Sequence, residues 1–187
     1  MKLIVGLGNP GPEYEQTRHN IGYRVAEALC ERWRLGGWKE KFHSWLAEGV
    51  WSAERVALLR PMTFMNVSGK AVLAAGRFYK IELADLLVIS DDLDLPPGKL
   101  RVRASGSSGG QRGLEDVIAR LGTKDVPRLR IGIGRPARGD VVDFILGRFA
   151  PAEREWVADA ITRSCEVVEC WLKEGVTTAM NRYNKSD

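Results

Sequence analysis

Short apolar runs alternate with segments of helical periodicity along this chain, and this alternation restricts its fold more than any other feature. Residues 3–7, 86–89 and 129–133 are apolar runs with the length of a buried strand. Residues 68–79 and 114–121 carry apolar side chains at helical spacing. Strands interleaved with helices predict an α/β fold, in which one sheet has helices on both of its faces.

The remaining segments extend this pattern. Asn20 is placed to cap a helix, and residues 45–51 and 55–59 predict two paired strands. Residues 100–102 predict another strand, and Pro151 opens a long helix towards the end of the chain. Because the sequence has no internal repeat and no long linker, we expect all 187 residues to form a single domain.

Composition indicates the broad class of the protein. The 44% hydrophobic content is typical of a folded chain, and no apolar run approaches the roughly 20 residues of a membrane span. The first residues lead directly into a strand-like run, without the features of a secretory signal. The three cysteines lack metal-binding or redox spacing. We therefore expect a cytoplasmic protein with reduced thiols and no membrane partner.

Positive charge is concentrated in one part of the chain. Between Lys99 and Arg138 there are ten Lys or Arg and three acids, a local balance of +7 in a chain whose formal net charge is +4. A basic stretch on an otherwise slightly acidic protein is typical of a protein with a phosphate-rich partner. A solvated basic face explains the charge about equally well, so charge permits a nucleic acid without requiring one.

Three polar segments follow predicted strands. Asn9 comes after the first strand, Asp91 after residues 86–89, and a Gly/Ser loop (105–110) after residues 100–102. In α/β sheets, ligands bind where loops leave the carboxyl ends of strands. We therefore expect these segments to lie at the ligand-binding edge of the sheet.

His19 is one of two histidines and directly precedes the predicted first helix. A helix N-terminus disfavours added positive charge, which helps to keep an imidazole neutral and able to accept a proton. That is the requirement for a general base near neutral pH, although a lone histidine more often has a structural role. His43 lies in a stretch without catalytic context, and we expect no functional role for it.

Asp91, Asp92 and Asp94 form an acidic cluster after a buried strand. One of these carboxylates could accept the N–H of a histidine and so fix its tautomer. A Mg²⁺ site and simple solvation of the loop are the alternatives. A metal site is a weak alternative, because no further acid or histidine is nearby in the sequence. The spacing does not say which aspartate would reach the histidine.

Two more segments each have a structural and a functional interpretation. Asn66 stands just ahead of a predicted helix, either as a cap or as an amide that holds a substrate carbonyl or a water, and capping is favoured. The Gly/Ser loop enters a helix N-terminus, a natural anion site, and is either a mobile lid or an ordinary flexible turn. It lacks the Gly-Lys-Ser/Thr ending of a P-loop.

Residues 6–11 match the G-x-G-x-x-G pattern of dinucleotide-binding folds, so an oxidoreductase is a competing hypothesis. Pro10 weakens it, because proline has no N–H to present to a pyrophosphate. The second strand also ends in Arg60 rather than in the acid that binds ribose, although Arg60 would suit a 2′-phosphate.

Five runs along the chain resemble the motifs of bacterial-type peptidyl-tRNA hydrolases, and their combination is very specific. The similarity extends into residues 141–147 and covers nearly the whole chain. The runs are VGLGNPGPEYEQTRHNIGY (5–23), RPMTFMNVSGKAV (60–72), DDLDLPPGKLRVR (91–103), GGQRGLEDVI (109–118) and RLRIGIGRP (128–136).

This resemblance implies a single-domain α/β fold with a twisted mixed sheet, a monomer, and no metal or organic cofactor. It implies hydrolysis of the ester between a peptide's carboxyl end and the terminal ribose of tRNA, with peptidyl-tRNA as the partner. By matched position, His19 is the catalytic base and Asp91 its partner. The other matched residues are Asn9 and Asn66 in the catalytic crevice, Tyr14 and Met65 on its peptide side, and Arg103 and Arg130 facing the tRNA.

The chain departs from the family at one place. The family usually reads Gly-Gly-His-Asn-Gly-Leu where residues 109–114 read Gly-Gly-Gln-Arg-Gly-Leu. Arg112 therefore replaces an Asn that contacts substrate, and would meet a phosphate or the peptide carbonyl instead. The replacement also admits a second hypothesis, an RNA-binding protein of the same fold that has lost catalysis. His19, Asp91, Asn9 and Asn66 in their motif settings argue against that loss.

Overall fold

Seven strands form one mixed sheet in the computed structural model, which describes residues 1–185. Their spatial order is β2-β3-β4-β1-β5-β7-β6. The strands are β1 (Lys2–Gly6), β2 (Lys39–Lys41), β3 (Ser44–Trp51), β4 (Glu54–Pro61), β5 (Leu86–Asp92), β6 (Leu100–Arg103) and β7 (Arg128–Gly132). The helices are α1 (Ile21–Arg32), α2 (Ser68–Tyr79), α3 (Arg112–Leu121), α4 (Val141–Ile145) and α5 (Arg154–Tyr183).

The four central strands, β4, β1, β5 and β7, are parallel, and the outer strands pair antiparallel. Parallel strands are normally covered on both faces, and here their side chains alternate between two apolar layers. Ile4 belongs to the layer shared with α1 and α5, whereas Leu3 and Val5 belong to the layer shared with α2 and α3. The predicted α/β fold with helices on both faces of a mixed sheet is confirmed.

The helix predicted at residues 68–79 has those bounds in the structure, since Ala71, Val72 and Ala75 lie on its buried face. Two short elements were not predicted. The strand β2 consists of three charged residues, and α4 is a single turn and a half. Neither is long enough to give a periodic signal.

The Gly/Ser loop begins at the opposite edge of the sheet from the one we expected. It follows β6, which runs antiparallel to β7, so that Arg103 at the end of β6 pairs with Arg128 at the start of β7. The expectation that the loop starts at the ligand-binding edge is therefore wrong, although its second half, residues 108–110, does reach that edge. The loop then returns along the sheet to Gln111, where α3 begins.

No helix within residues 1–185 has the length and apolar character needed to cross a membrane. The three cysteines, Cys30, Cys165 and Cys170, are free thiols, and all of them are buried. Burial raises the pKa of the Cys165 thiol to about 11, so this side chain is a neutral part of the apolar layer beneath α5.

Candidate active site

A cavity of about 590 Å³ lies at the carboxyl edge of the parallel strands. The chain crosses from one side of β1 to the other between β4 and β5, so the strand order reverses at β1. Such a reversal is where open α/β sheets bind ligands. We call this the central cavity. It is lined by Asn9, His19, Phe64, Met65, Asn66, Ser90, Asp91, Asp92, Leu93, Ser108, Gly109, Gly110, Gln111, Arg112, Arg130, Arg135, Val141, Val142, Ile145 and Leu146.

His19 and Asp91 form a buried pair in this cavity. The His19 Nδ1 lies 2.8 Å from the Asp91 Oδ2, and the two residues are 6% and 3% exposed. His19 reaches the site from the short 3-10 helix that leads into α1, and Asp91 lies near the end of β5. A carboxylate at Nδ1 accepts the proton of the neutral imidazole there, which leaves the lone pair on Nε2.

Strand pleating selects Asp91 from the three aspartates. Strand β5 continues to Asp92 instead of ending at Ile89, so successive side chains still point to opposite faces. Asp91 therefore faces the α1 layer, as Ile89 does. Asp92 lies 3.5 Å from Arg130 through its Oδ2, and Asp94 pairs with Arg135 at 2.7 Å. The acidic cluster thus divides into one partner for histidine and two partners for arginine.

Gln111 holds the second oxygen of the Asp91 carboxylate. Its Nε2 donates to the Asp91 Oδ1 at 3.1 Å, and its Oε1 accepts the backbone N–H of Leu114 at 2.7 Å as the N-cap of α3. The cap fixes which end of the amide faces Asp91, because only the oxygen can accept from Leu114. Sequence reasoning did not include this residue in the site; its signal was its place in the run 109–114, where the family usually has His.

Three hydrogen bonds fix the position of Asn9. Its Oδ1 accepts from the Met65 backbone N–H at 2.7 Å, and its main chain exchanges two hydrogen bonds with the Asn20 side chain, at 2.9 and 3.0 Å. Asn20 occupies the position before α1 but makes no side-chain cap bond, so the predicted cap is wrong. Its amide instead satisfies the backbone of Asn9. The Asn9 Nδ2 is left without a hydrogen-bond acceptor within residues 1–185.

Asn66 is exposed in the cavity wall and does not cap α2, where Val67 occupies the N-cap position. The favoured interpretation of Asn66 as a cap is therefore wrong. The reason is a short 3-10 helix, Met65–Val67, that intervenes before α2 and places this amide on the cavity side.

Exposed apolar side chains line one side of the cavity. Phe64 is 59% exposed, Val142 is 45% exposed and Leu146 is 37% exposed, and all three belong to the lining. Tyr14 lies outside the lining but packs edge-on against Phe64, with ring centroids 6.5 Å apart. Exposed apolar patches of this kind mark binding surfaces. Phe64, Val142 and Leu146 were not among the predicted site residues, and α4 supplies part of this wall.

The predicted basic residues have different surroundings. Arg112 is exposed in the lining of the central cavity, at the first turn of α3. Arg130 also lines the cavity, and its Nη2 donates to the Ser107 carbonyl at 2.9 Å. Arg103 lies outside the lining, exposed on the edge strand β6. Of the nine predicted site residues, Tyr14 and Arg103 are therefore the two that do not line the cavity.

Arg128 is fully buried, so part of the basic stretch is structural. Its guanidinium donates to the carbonyls of Val126, Ser107, Gly106 and Lys124 at distances of 2.6 to 3.2 Å. Burial and the neighbouring Arg130 lower the pKa of Arg128 to about 10, so the group remains a cation at neutral pH. Arg128 and Arg130 together fix the first half of the Gly/Ser loop.

The surroundings of the glycine-rich run 6–11 disagree with a dinucleotide site. The run does not open a helix, since α1 begins only at Ile21. A side chain on Gly6 would lie 2.2 Å from the Gly22 carbonyl oxygen, so this glycine permits close packing of α1 on β1. Within residues 1–185, no cluster of three or more His, Cys, Asp or Glu side chains is placed to hold a metal ion.

Comparison with known proteins agrees with the geometry. The family model for peptidyl-tRNA hydrolase matches residues 3–187. The peptidyl-tRNA hydrolase of Symbiobacterium thermophilum is 53% identical over 186 residues, covering 98% of both chains. That of Rhodopirellula baltica is 51% identical over 185 residues, covering 98% of this chain and 97% of the relative.

A solved structure extends the similarity to the fold. The crystal structure of peptidyl-tRNA hydrolase from Acinetobacter baumannii matches with a TM-score of 0.93 at 37% identity, covering 100% of this chain and 96% of that one. Because sequence and fold agree along nearly the whole chain, this protein belongs to the peptidyl-tRNA hydrolase family.

Proposed function

We propose that this protein hydrolyses the ester that joins a peptide to the terminal ribose of tRNA, which returns tRNA to translation. The observation that carries the proposal is the buried His19–Asp91 pair in a cavity with amide groups, in a chain of this family. We expect the enzyme to act in the cytoplasm, as a monomer and without a cofactor.

In the proposed mechanism, His19 is the general base. Its Nε2 takes a proton from a water whose oxygen attacks the ester carbonyl carbon. Asp91 keeps the imidazole oriented and stabilises the imidazolium that forms. Collapse of the tetrahedral intermediate breaks the bond to the ribose oxygen, which takes the proton from His19. The products are a peptide with a free carboxyl group and a tRNA with a free ribose hydroxyl.

Asn9 is our first choice for stabilising the negative oxygen of the intermediate. Its Oδ1 already accepts from Met65, so the amide presents its Nδ2 donor. A donor held in place before the reaction stabilises developing charge without reorganising. Asn66 has no hydrogen-bond partner that fixes its amide within the described chain, and we assign it to the substrate carbonyl or to the attacking water.

The two sides of the cavity suit the two halves of the substrate. The exposed apolar side chains of Phe64, Val142 and Leu146, with Met65 and Tyr14 behind them, favour the peptide side. Arg112 and Arg130 also line the cavity, and Arg101 and Arg103 lie on β6, the strand next to Arg130. We assign these four arginines to the tRNA phosphates, whereas Arg128 is buried and binds carbonyls.

The test compares the two histidines. We expect His19→Ala to slow release of the N-blocked aminoacyl group from N-blocked aminoacyl-tRNA by roughly 10²- to 10⁴-fold, because a general base is lost. The matched control is His43→Ala, at an exposed turn outside the cavity, and its rate should equal the wild-type rate. A metal chelator is present throughout, and unblocked aminoacyl-tRNA is the substrate control.

Two results would contradict the proposal. A fast His19→Ala variant would remove this histidine from the mechanism. Tight binding of tRNA by the wild-type protein without cleavage would favour the RNA-binding hypothesis, and Arg112→Asn would then be the first substitution to try.

A further inference from the structure

A second cavity, of about 480 Å³, lies outside the central one and contains three arginines. We call it the arginine cavity. Arg24 comes from α1, Arg148 from the segment after α4, and Arg154 from the first residue of α5. Three separate elements therefore bring their cations together. The remaining lining residues are Gln16, Phe149 and Val157.

None of these three guanidinium groups has a salt bridge or a side-chain hydrogen bond within residues 1–185. Most arginines elsewhere in that range do have such partners; Arg18, for example, pairs with Glu153 at 3.0 Å. Burial lowers the pKa of Arg24, which means that keeping this guanidinium charged inside the protein costs free energy. The negative charge of Glu27 acts in the opposite direction and raises the pKa of Arg24, but the Glu27 carboxylate forms its salt bridge with Arg60, at 2.7 Å.

Clustered cations without acids repel one another, and such an arrangement is stable when an anion binds between them. Arginine forks match the oxygens of phosphate with paired hydrogen bonds. Arg148 and Arg154 are exposed and Arg24 is half-buried, so an anion can reach all three from solvent, and Phe149 and Val157 add apolar surface to the lining. The chemistry of the cavity therefore fits a phosphate group.

The arginine cavity is fixed to the candidate active site through one chain segment. Leu146 lines the central cavity, and Arg148 lines the arginine cavity two residues later. This segment is bound to the residues ahead of His19, since the Arg18 backbone N–H donates to the Gly147 carbonyl at 3.0 Å and Thr17 forms a bridge with Arg148. One hydrogen-bonded segment therefore joins the two cavities, and a tRNA bound at His19 is large enough to reach both.

We propose that the arginine cavity binds a backbone phosphate of the tRNA, as a contact separate from the arginines of β6 and β7. This inference rests on the proposed function. It makes Arg24, Arg148 and Arg154 a part of substrate binding that does not touch the reacting ester.

The test is a combined variant, Arg24→Gln, Arg148→Gln and Arg154→Gln. We expect its affinity for deacylated tRNA to fall by about tenfold or more, because charge-assisted hydrogen bonds are lost. The slope of log affinity against log salt should become less steep by about one unit. Cleavage of the blocked aminoacyl ester on the trinucleotide CCA, which lacks the rest of the tRNA, should not change.

A matched control removes the same charge elsewhere. Arg55→Gln, Arg77→Gln and Lys80→Gln neutralise three exposed cations, one on β4 and two at the end of α2, and none of them lines either cavity. An equal loss of tRNA affinity in this control would overturn the proposal, since net charge would then explain the effect. Slower cleavage of the trinucleotide ester by the arginine-cavity variant would also overturn it, because the cavity would then act on the reacting site.

Thermal unfolding separates binding from folding. Removing unpaired cations should leave the melting temperature of the arginine-cavity variant unchanged or raised. A lowered melting temperature together with lost affinity would overturn the proposal in favour of a structural role.

Titration with inorganic phosphate distinguishes the two sources of the anion. If phosphate binds the wild-type cavity while the variant keeps full affinity for tRNA, the cavity takes a free anion and the RNA contact is overturned. Binding of deacylated tRNA requires no catalysis. An inactive wild-type protein that binds tRNA through these arginines would therefore overturn the hydrolase proposal and support this one.

Discussion

The carboxylate of Asp91 has two oxygens, and each accepts a hydrogen bond from a different part of the chain. His19 binds Oδ2 and Gln111 binds Oδ1, so the carboxylate cannot rotate without losing one of them. A buried carboxylate held on both oxygens orients the imidazole more firmly than one held on a single oxygen. At the residue scale, Gln111 is thus a positioning residue for the proposed base.

Two substitutions test this role while keeping the cap of α3. In Gln111→Ser, a favoured N-cap residue replaces glutamine but is too short to reach Asp91. In Gln111→Glu, a carboxylate keeps the acceptor for Leu114 but faces Asp91 with a like charge. We expect kcat to fall by about tenfold in the first variant and further in the second, with KM nearly constant.

Urea denaturation provides the control for these variants. Their free energies of unfolding should fall by no more than about 1–3 kcal/mol, the cost of leaving one Asp91 oxygen without its hydrogen bond, because the cap is kept. An unchanged kcat in both variants would show that Gln111 only caps the helix.

At the element scale, the position of α1 on the sheet determines whether His19 meets Asp91. Gly22 lies in the first turn of α1, and a side chain there would come within 2.6 Å of the carbonyl oxygens of Leu7 and Ile89. The helix can therefore lie this close to β1 and β5 only because residue 22 has no side chain. The 3-10 helix that carries His19 is continuous with this turn.

Gly22→Ala should therefore reduce both stability and activity. Overpacking against two strands costs about 1–3 kcal/mol, and the shift of α1 moves His19 away from Asp91. Gly76→Ala is the matched control, since Gly76 lies within α2 and a side chain there meets nothing within 4 Å. The control should gain roughly 0.5–1 kcal/mol with full activity.

Chemical denaturation measures the stability of both variants, and cleavage of the blocked aminoacyl-tRNA measures their activity. If Gly22→Ala kept wild-type activity, the close approach of α1 would not be what places the base.

At the scale of the whole molecule, the basic stretch 99–138 divides into buried, paired and free charges. Arg128 binds carbonyls inside the protein, and Arg120 and Arg135 have acidic partners. Arg103 and Arg112 remain exposed, and Arg112 lines the central cavity. Fewer cations are available to RNA than the local balance of +7 suggests.

We expect salt to weaken the reaction with tRNA substrates specifically. Counterion release makes phosphate binding fall steeply with salt, so KM for blocked aminoacyl-tRNA should rise at least about tenfold between 50 and 200 mM KCl. The same blocked ester on the trinucleotide CCA should respond much less, and kcat should stay nearly constant. Equal salt dependence of both substrates would contradict a role for the basic residues in holding tRNA.

Local sequence patterns predicted most of the helices and strands of the fold. The apolar period of α2 predicted its two bounds, and the buried runs located the central strands, because burial on a regular backbone repeats at a fixed spacing. Short elements that depend on contacts with neighbouring strands or loops were not predicted. The charged strand β2 exists because β3 pairs with it, and α4 is too short to repeat.

The sequence by itself determined the family, the α/β class and the residue types of the site, since motifs and periodicity are local properties of the chain. Residue spacing left open which aspartate meets His19; the family resemblance favoured Asp91, and the pleat and length of β5 give the physical reason. Only the tertiary structure decided that Asn20 supports Asn9 and that Gln111 binds Asp91. Hydrogen bonds between residues far apart in the chain depend on the packing of whole elements, which no local pattern encodes.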